Sequence, residues 1–278
     1  MIACKSSAEL AKMRISGAVT ARTLAQLKGA VKPGVTTKEI DALADRLIRD
    51  GGGVPAFLGY HGFTGSICAS VNDEVVHGIP GTRRLREGDL LKIDIGAVVD
   101  GWYSDMACTL AVGQVSKAAQ HLMDVTEESL FIGIAAVRPG VHVSDIGNAV
   151  QSHVERHGYS VVRALVGHGV GTNLHEDPPV PNFGRKGMGA ILKPGMVMAI
   201  EPMVNQGAFD VRTLSDNWTV VTKDGKLSAH FEHTVAVQPN GFEILTVVDE
   251  AEAAALERRV MNGGTFGATQ SPNAAALG

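Results

Sequence analysis

The sequence predicts an α+β fold of two similar halves, related by a pseudo-two-fold, with a central antiparallel sheet flanked by helices. Three observations predict it. "VKPGVTTKEIDALADRLIRDGG" at Val31 returns 106 residues later as "VRPGVHVSDIGNAVQSHVERHG" at Val137, with Lys32/Arg138 and Glu39/Asp145 as conservative changes. "LREGDLLKID" from Leu85 then lies over "LKPGMVMAIE" from Leu192 at an offset of 107, which sets Asp94 on Glu201. Finally, "ACTLAVG" ending at Gly113 resembles "EHTVAVQ" ending at Gln238 and sets Glu232 opposite Ala107. Windows in one order, with offsets that grow only by insertion, indicate a duplicated unit. The repeats cover about 31–113 and 137–238 of a single domain, residues 1–250; residues 251–278 are expected to form a terminal helix and a mobile tail.

Ser6-x-x-Glu9 is a capping-box pattern and opens a helix running to about Lys28. Thr36-x-x-Glu39 opens a second, with Ile40, Leu43, Leu47 and Ile48 on one face. A third is expected from Ser116 towards Val137, a fourth from Ser144 to about His157, and a last over Glu250–Val260. Between them lie glycine-punctuated, β-branched runs at hairpin spacing. The clearest is Leu90 to Gly113, two apolar strands joined by a turn at Asp100-Gly101.

Each of those strands carries a carboxylate, Asp94 and Asp105, and a charge in an apolar run is costly unless compensated. The repeat adds Glu201 and Glu232, the latter at the position two residues from Asp105 and hence on the same strand face. Four such groups at the centre of the molecule repel one another unless they are protonated or neutralised by cations. Lys92 is assigned to the opposite sheet face, and "MAIEPMV" contains no base, so a metal centre is the economical answer. His168 in "VGHGVG", between glycines that allow close approach, is the natural nitrogen donor. His175 in "NLHEDPPVP" and His77 in "NDEVVHGIPG" are further candidates, whereas His121, His142, His153 and His157 lie on or beside helices and receive no role. One imidazole and four carboxylates form a fairly hard site suited to two divalent ions sharing carboxylates, with a water ionised near neutral pH. Amide hydrolysis suits these parts.

Composition narrows the alternatives. Of 278 residues, 45% are hydrophobic and 19% charged, enough apolar content for a sizeable core. A net charge of −4 without a basic run gives no electrostatic reason to expect nucleic acid. The three cysteines, Cys4, Cys68 and Cys108, are odd in number and scattered, which argues against a disulfide framework or a thiolate zinc site. Neither a signal core nor a membrane span is apparent, so a cytoplasmic setting is expected.

"GYHGFTGSICASVNDEVVHGIP", "DIGAVVDGWYSDMACT", "VGHGVGTNLHEDPPVPN", "AIEPM" and "FEHTVAV" together resemble the type I, bacterial-type methionine aminopeptidases of the pita-bread fold, over about residues 4–250. The resemblance implies Asp94, Asp105, His168, Glu201 and Glu232 as ligands of two divalent ions (Co, Mn, Fe or Zn), with Asp105 and Glu232 bridging and Glu201 also acting as general base and acid. It makes His175 the residue that steadies the scissile carbonyl and His77 a contact to the substrate backbone. Tyr60, Phe63, Cys68 and Trp218 map onto the methionine pocket, and Asn72 and Ser228 onto positions that help bind a monovalent cation. The implied substrate is a peptide or nascent chain that begins with methionine followed by a small residue. Transient ribosome contact and a monomeric, cytoplasmic enzyme go with it.

Three departures stand out. His230 replaces a usual glutamine, Leu174 replaces an aromatic before His175, and the tail after about Val260 has no counterpart. Two other readings compete: a Xaa-Pro dipeptidase or aminopeptidase on the same fold, and a metal-free binding module. The second expects substitutions among the five ligands, and all five are intact.

Overall fold

The computed structural model describes residues 2–264. Helix α1 spans Ser7–Ala30, α2 Thr37–Asp50, α3 Lys117–Ala135, α4 Val143–Arg156 and α5 Glu250–Met261. The capping boxes start α1 and α2 where the pattern placed them: the Ser6 amide donates to Glu9 Oε2 at 2.7 Å, and the Thr36 amide to Glu39 Oε2 at 2.7 Å. Helix α4 starts at Val143 rather than at Ser144, because His142 takes the cap position that Thr36 takes in the first repeat. Its amide donates to Asp145 Oδ2 at 3.3 Å, which explains why Glu39 recurs as Asp145.

The main sheet is antiparallel and nine-stranded. Its path runs Val54–Pro55, Leu90–Val99, Trp102–Ala111, Glu232–Gln238, Val197–Ile200, Gly167–Gly169, Glu176–Val180; Ile67–Val71 also pairs Leu90–Val99, and Gly241–Ile244 pairs Glu232–Gln238. The hairpin Leu90–Ala111 turns on Asp100 and Gly101, at φ of 48° and 80°, the left-handed pair that a two-residue turn needs. At the seam between the halves Glu232 pairs Ala107 and His233 pairs Met106. Since the repeat makes Ala107 and Glu232 equivalent, the local two-fold passes through that pair. Single bridges Thr36–Arg84 and His142–Ile191 repeat in the two halves at the same offsets.

Alternation separates the faces. Ile93 and Ile95 join Leu24, Leu27, Ile40 and Ile48 of α1 and α2 in one buried cluster, which continues through Leu122, Phe131, Ile146 and Val150 of α3 and α4 to Met198 and Ile200. The opposite face bears the acids. The terminal helix α5 is docked on this body: Val260 is buried in the same cluster and Arg259 pairs with Glu127 at 2.9 Å. Of the tail expected after about Val260, residues 265–278 lie outside the described residues.

Candidate metal centre

Register alone brings the carboxylates together. Asp94 pairs Ala107, Ala107 pairs Glu232, and Asp105 lies two residues from Ala107, so all three acids point to one face. His233 pairs Ile200, and one further step along that ladder places Glu232 beside Glu201. His168 sits on the short strand Gly167–Gly169, which pairs Val197–Ile200 on one side and Glu176–Val180 on the other. The flanking glycines are required by the backbone: a Cβ on Gly169 would lie 2.3 Å from the Asp177 carbonyl oxygen, and one on Gly167 2.3 Å from that of Ala199.

The imidazole of His168 is held as a ligand must be. Its Nδ1 donates to the Gly169 carbonyl at 3.0 Å, which fixes the tautomer and leaves Nε2 with a lone pair 3.5 Å from Glu201 Oε1 and 3.8 Å from Asp105 Oδ2. Asp105 is fixed in turn by Thr234, whose Oγ1 accepts from the Asp105 amide at 3.0 Å and donates to its carbonyl at 2.7 Å. Asn182, fully buried, donates Nδ2 to the Glu201 carbonyl at 3.0 Å.

Among the described residues, two groups of donors converge closely enough to hold an ion: Asp105, His168 and Glu232, and Glu201, His230 and Glu232, each with one donor atom per residue within 4.8 Å of the others. Glu232 belongs to both. His230 Nε2 lies 3.8 Å from Glu201 Oε2 and 3.8 Å from Glu232 Oε2.

Electrostatics say the same. Burial, with no base among them, pushes Asp94 up to about 7. Burial and mutual repulsion hold Asp105, Glu201 and Glu232 well above the carboxylate range. Burial pulls His168 and His77 down to about 4 and His230 to about 3, so these rings are neutral at pH 7. Asp94 Oδ1, Glu232 Oε1 and both nitrogens of His230 are buried without a hydrogen-bond partner. Orphaned acceptors on crowded acids and neutral imidazoles are what divalent cations require, and the donor set fits them.

The centre floors a cavity of about 170 Å³ walled by Phe57, Tyr60, Phe63, Cys68, Leu174 and Trp218, with His77 and His175 at its sides. Phe63 and Trp218 meet edge-on at 5.0 Å between centroids. His175 stacks near His168 (4.1 Å), and its Nδ1 is 2.6 Å from the Tyr60 hydroxyl. All the residues expected at the metal centre and the pocket thus line one cavity. Phe57, Val76, Leu165 and Met203 line it too and had no signal in the sequence beyond being apolar.

The remaining pair lies apart from the cavity. Asn72 and Ser228 meet beneath it, the Ser228 amide donating to the Asn72 carbonyl at 3.1 Å. Lys92 reaches them both, with Nζ 2.7 Å from the Asn72 carbonyl and 3.1 Å from that of Ser228. This corrects the expected placement of Lys92. It stands two residues from Asp94 and therefore on the same sheet face, and it leaves the acids uncompensated only because its ammonium is bound to main-chain carbonyls.

A model of metallopeptidase family M24 matches residues 11–239. "Methionine aminopeptidase 1" of Bacillus subtilis is 54% identical over 248 residues, which are 89% of this chain and all of that one. The Escherichia coli methionine aminopeptidase is 42% identical, covering 88% of this chain and 94% of its own. Among solved structures, the methionine aminopeptidase of Rickettsia prowazekii superposes with a TM-score of 0.88 at 44% identity, over 89% of this chain and 100% of that one. A Pyrococcus furiosus prolidase at 22% identity and a TM-score of 0.73, over 89% of this chain and 66% of its own, shares the fold alone.

Proposed function

The chain belongs to metallopeptidase family M24, and from that premise we propose that it is a methionine aminopeptidase, removing the N-terminal methionine of peptides and proteins whose next residue is small. The observation that carries the reading is the His168 ring, tied at Nδ1 and presenting Nε2 to Asp105 and Glu201 above a cavity of methionine-like dimensions and apolar walls.

Asp94, Asp105, His168, Glu201 and Glu232 would hold the metal. Two ions are proposed because both donor groups share Glu232, and cobalt, manganese, iron or zinc all suit one nitrogen and several oxygens. Such ions supply Lewis acidity: they polarise a carbonyl and bring a water's pKa near neutrality.

The methionine side chain is proposed to lie against Tyr60, Phe63, Cys68 and Trp218, where its flexible thioether fits an aromatic wall. Burial raises the pKa of Tyr60, so its hydroxyl stays protonated, and in the tautomer proposed here it donates to His175 Nδ1. The proton of the neutral His175 ring is then on Nε2, free to donate to the scissile carbonyl oxygen as it gains charge. His77, also neutral, offers its ring to the substrate backbone beyond the bond that breaks. Glu201 takes the proton of the attacking water and returns it to the departing amine.

A nascent-chain substrate, passing contact with a ribosome, a monomeric state and a cytoplasmic setting complete the proposal through the family resemblance. No helix of the described residues is long and apolar enough to cross a membrane. The test is turnover of Met-Ala-Ser beside Ala-Pro, by the chain and by Glu201→Ala. Cleavage of the first substrate only, lost by a factor on the order of 10²–10⁴ in the variant, supports the reading; cleavage of Ala-Pro alone rejects it for a Xaa-Pro peptidase.

A further inference from the structure

Lys92 is 1% exposed and the largest fully buried side chain among the described residues, and its ammonium is an expensive charge to bury. What it bonds is two main-chain carbonyls, from Asn72 at 2.7 Å and Ser228 at 3.1 Å. Carbonyl oxygens gathered around one positive charge are the coordination shell of a potassium or sodium ion, which likewise exchanges water for carbonyls.

The two carbonyls come from opposite halves of the molecule and from segments that lead into the metal centre. Asn72 begins the turn before Glu74–Val76 and His77, and it holds the left-handed conformation (φ 59°) that aims its carbonyl inward. Its side chain is fixed on both sides, Nδ2 donating to Asp89 Oδ1 and Oδ1 accepting from the Leu90 amide, each at 2.9 Å. Ser228 opens the strand Ser228–His230, directly before Phe231 and Glu232. Thr109 seals that strand against the hairpin, its Oγ1 donating to the His230 carbonyl and accepting from the His230 amide, each at 2.8 Å. Lys92 itself is two residues from Asp94.

We propose that the Lys92 ammonium is a tethered monovalent cation: it occupies the carbonyl site formed by Asn72 and Ser228, clips three ligand- and histidine-bearing segments together, and frees the protein from any need for potassium or sodium. A diffusible ion at this place would bind and leave with its concentration, whereas the lysine delivers its charge on a stem packed in the sheet. Lys92 is a positioning residue, acting on Asp94, Glu232 and His77 through the backbone. Burial lowers its pKa to about 7, with Arg83 pulling the same way and Glu74, Asp73 and Asp89 opposing it. The part of the proposal that concerns activity rests on the aminopeptidase reading, while the ion site itself does not.

The experiment compares the full chain and its Lys92→Ala variant in chloride salts of potassium, sodium, ammonium and tetramethylammonium at one ionic strength, reading melting temperature and turnover of Met-Ala-Ser. Tetramethylammonium is too large for the vacated site. The parent chain is expected to behave alike in all four salts, within about twofold in turnover. The variant is expected to be at least tenfold slower in tetramethylammonium and to regain rate and melting temperature in one or more of the small cations. A merely structural lysine would give a loss that no cation repairs, and that outcome overturns the proposal. So does a parent chain that is stabilised by potassium or sodium over tetramethylammonium, a result that needs no folded variant. Melting is read without peptidase activity, so failure of the proposed function and failure of this inference are told apart.

Discussion

Ala107 and Glu232 face each other across the seam of the sheet, and they are equivalent residues of the two repeats. A strand pair that meets at its own equivalent position is a two-fold axis written in backbone hydrogen bonds. One half places a methyl group there and the other a carboxylate, so duplication supplies the frame and a single divergence supplies an acid.

The first prediction concerns that methyl. Ala107 is paired on one side to Asp94 and on the other to Glu232, and its side chain stands between theirs. Ala107→Leu would fill the space the ions require at an overpacking cost of about 1–3 kcal/mol. Calorimetric titration with manganese should show affinity reduced at least tenfold, while Ala107→Gly keeps it.

A second prediction is the pH dependence of the metal-free protein. Asp94, Asp105, Glu201 and Glu232 have raised pKa values in the fold, Asp94 at about 7. A raised value favours the protonated form, so the stability these groups contribute is complete below about pH 4 and is lost as pH rises through the folded values, about 7 for Asp94. The histidines act in the other sense, costing stability only as pH falls below about 6.5 towards their depressed values near 3–4, so above 7 they are silent. Below about pH 6.5 the two effects oppose each other, but metal must displace the acids' protons, so added divalent metal should raise the melting temperature more at pH 8 than at pH 5. A metal-induced rise that is equal at both pH values would contradict the crowding of the acids.

His230 gives a third. Both its nitrogens lack partners, and Nε2 is equidistant from Glu201 and Glu232. A nitrogen donor beside two oxygens favours zinc or cobalt over manganese. His230→Gln should weaken zinc by about 10–100-fold and manganese by less, measured by competition with a chelator. Equal weakening of both metals would assign the ring a packing role.

For Tyr60, the hydroxyl proposed to set the His175 tautomer can be removed alone. Tyr60→Phe keeps the pocket wall, so KM for Met-Ala-Ser should hardly move while kcat falls roughly tenfold, the effect of leaving an oxyanion donor unoriented. A change confined to KM would make the ring a wall residue only.

Much of this was legible because it is local. Ser6-Glu9 and Thr36-Glu39 announce helix starts through contacts three residues apart, and the repeat carried the second half along with the first. The four acids were readable because charge in apolar strands needs a reason, and His168 because glycines flank it. What stayed hidden is non-local or carried by the backbone. Lys92 was read as facing away, although period two puts it with Asp94, and its true partners are carbonyls that no side-chain pattern reveals. Phe57, Leu165 and Met203 join the cavity from distant segments and look like any core residue. Asn182 acts on Glu201 through a main-chain oxygen and is silent for the same reason.

The central claim is that the paired acids and His168 exist to hold divalent cations. Anomalous diffraction from crystals grown with manganese tests it most directly. The account predicts two peaks sharing Glu232, within coordination distance of Asp94, Asp105, His168 and Glu201. No anomalous density in that cavity at saturating metal would contradict it.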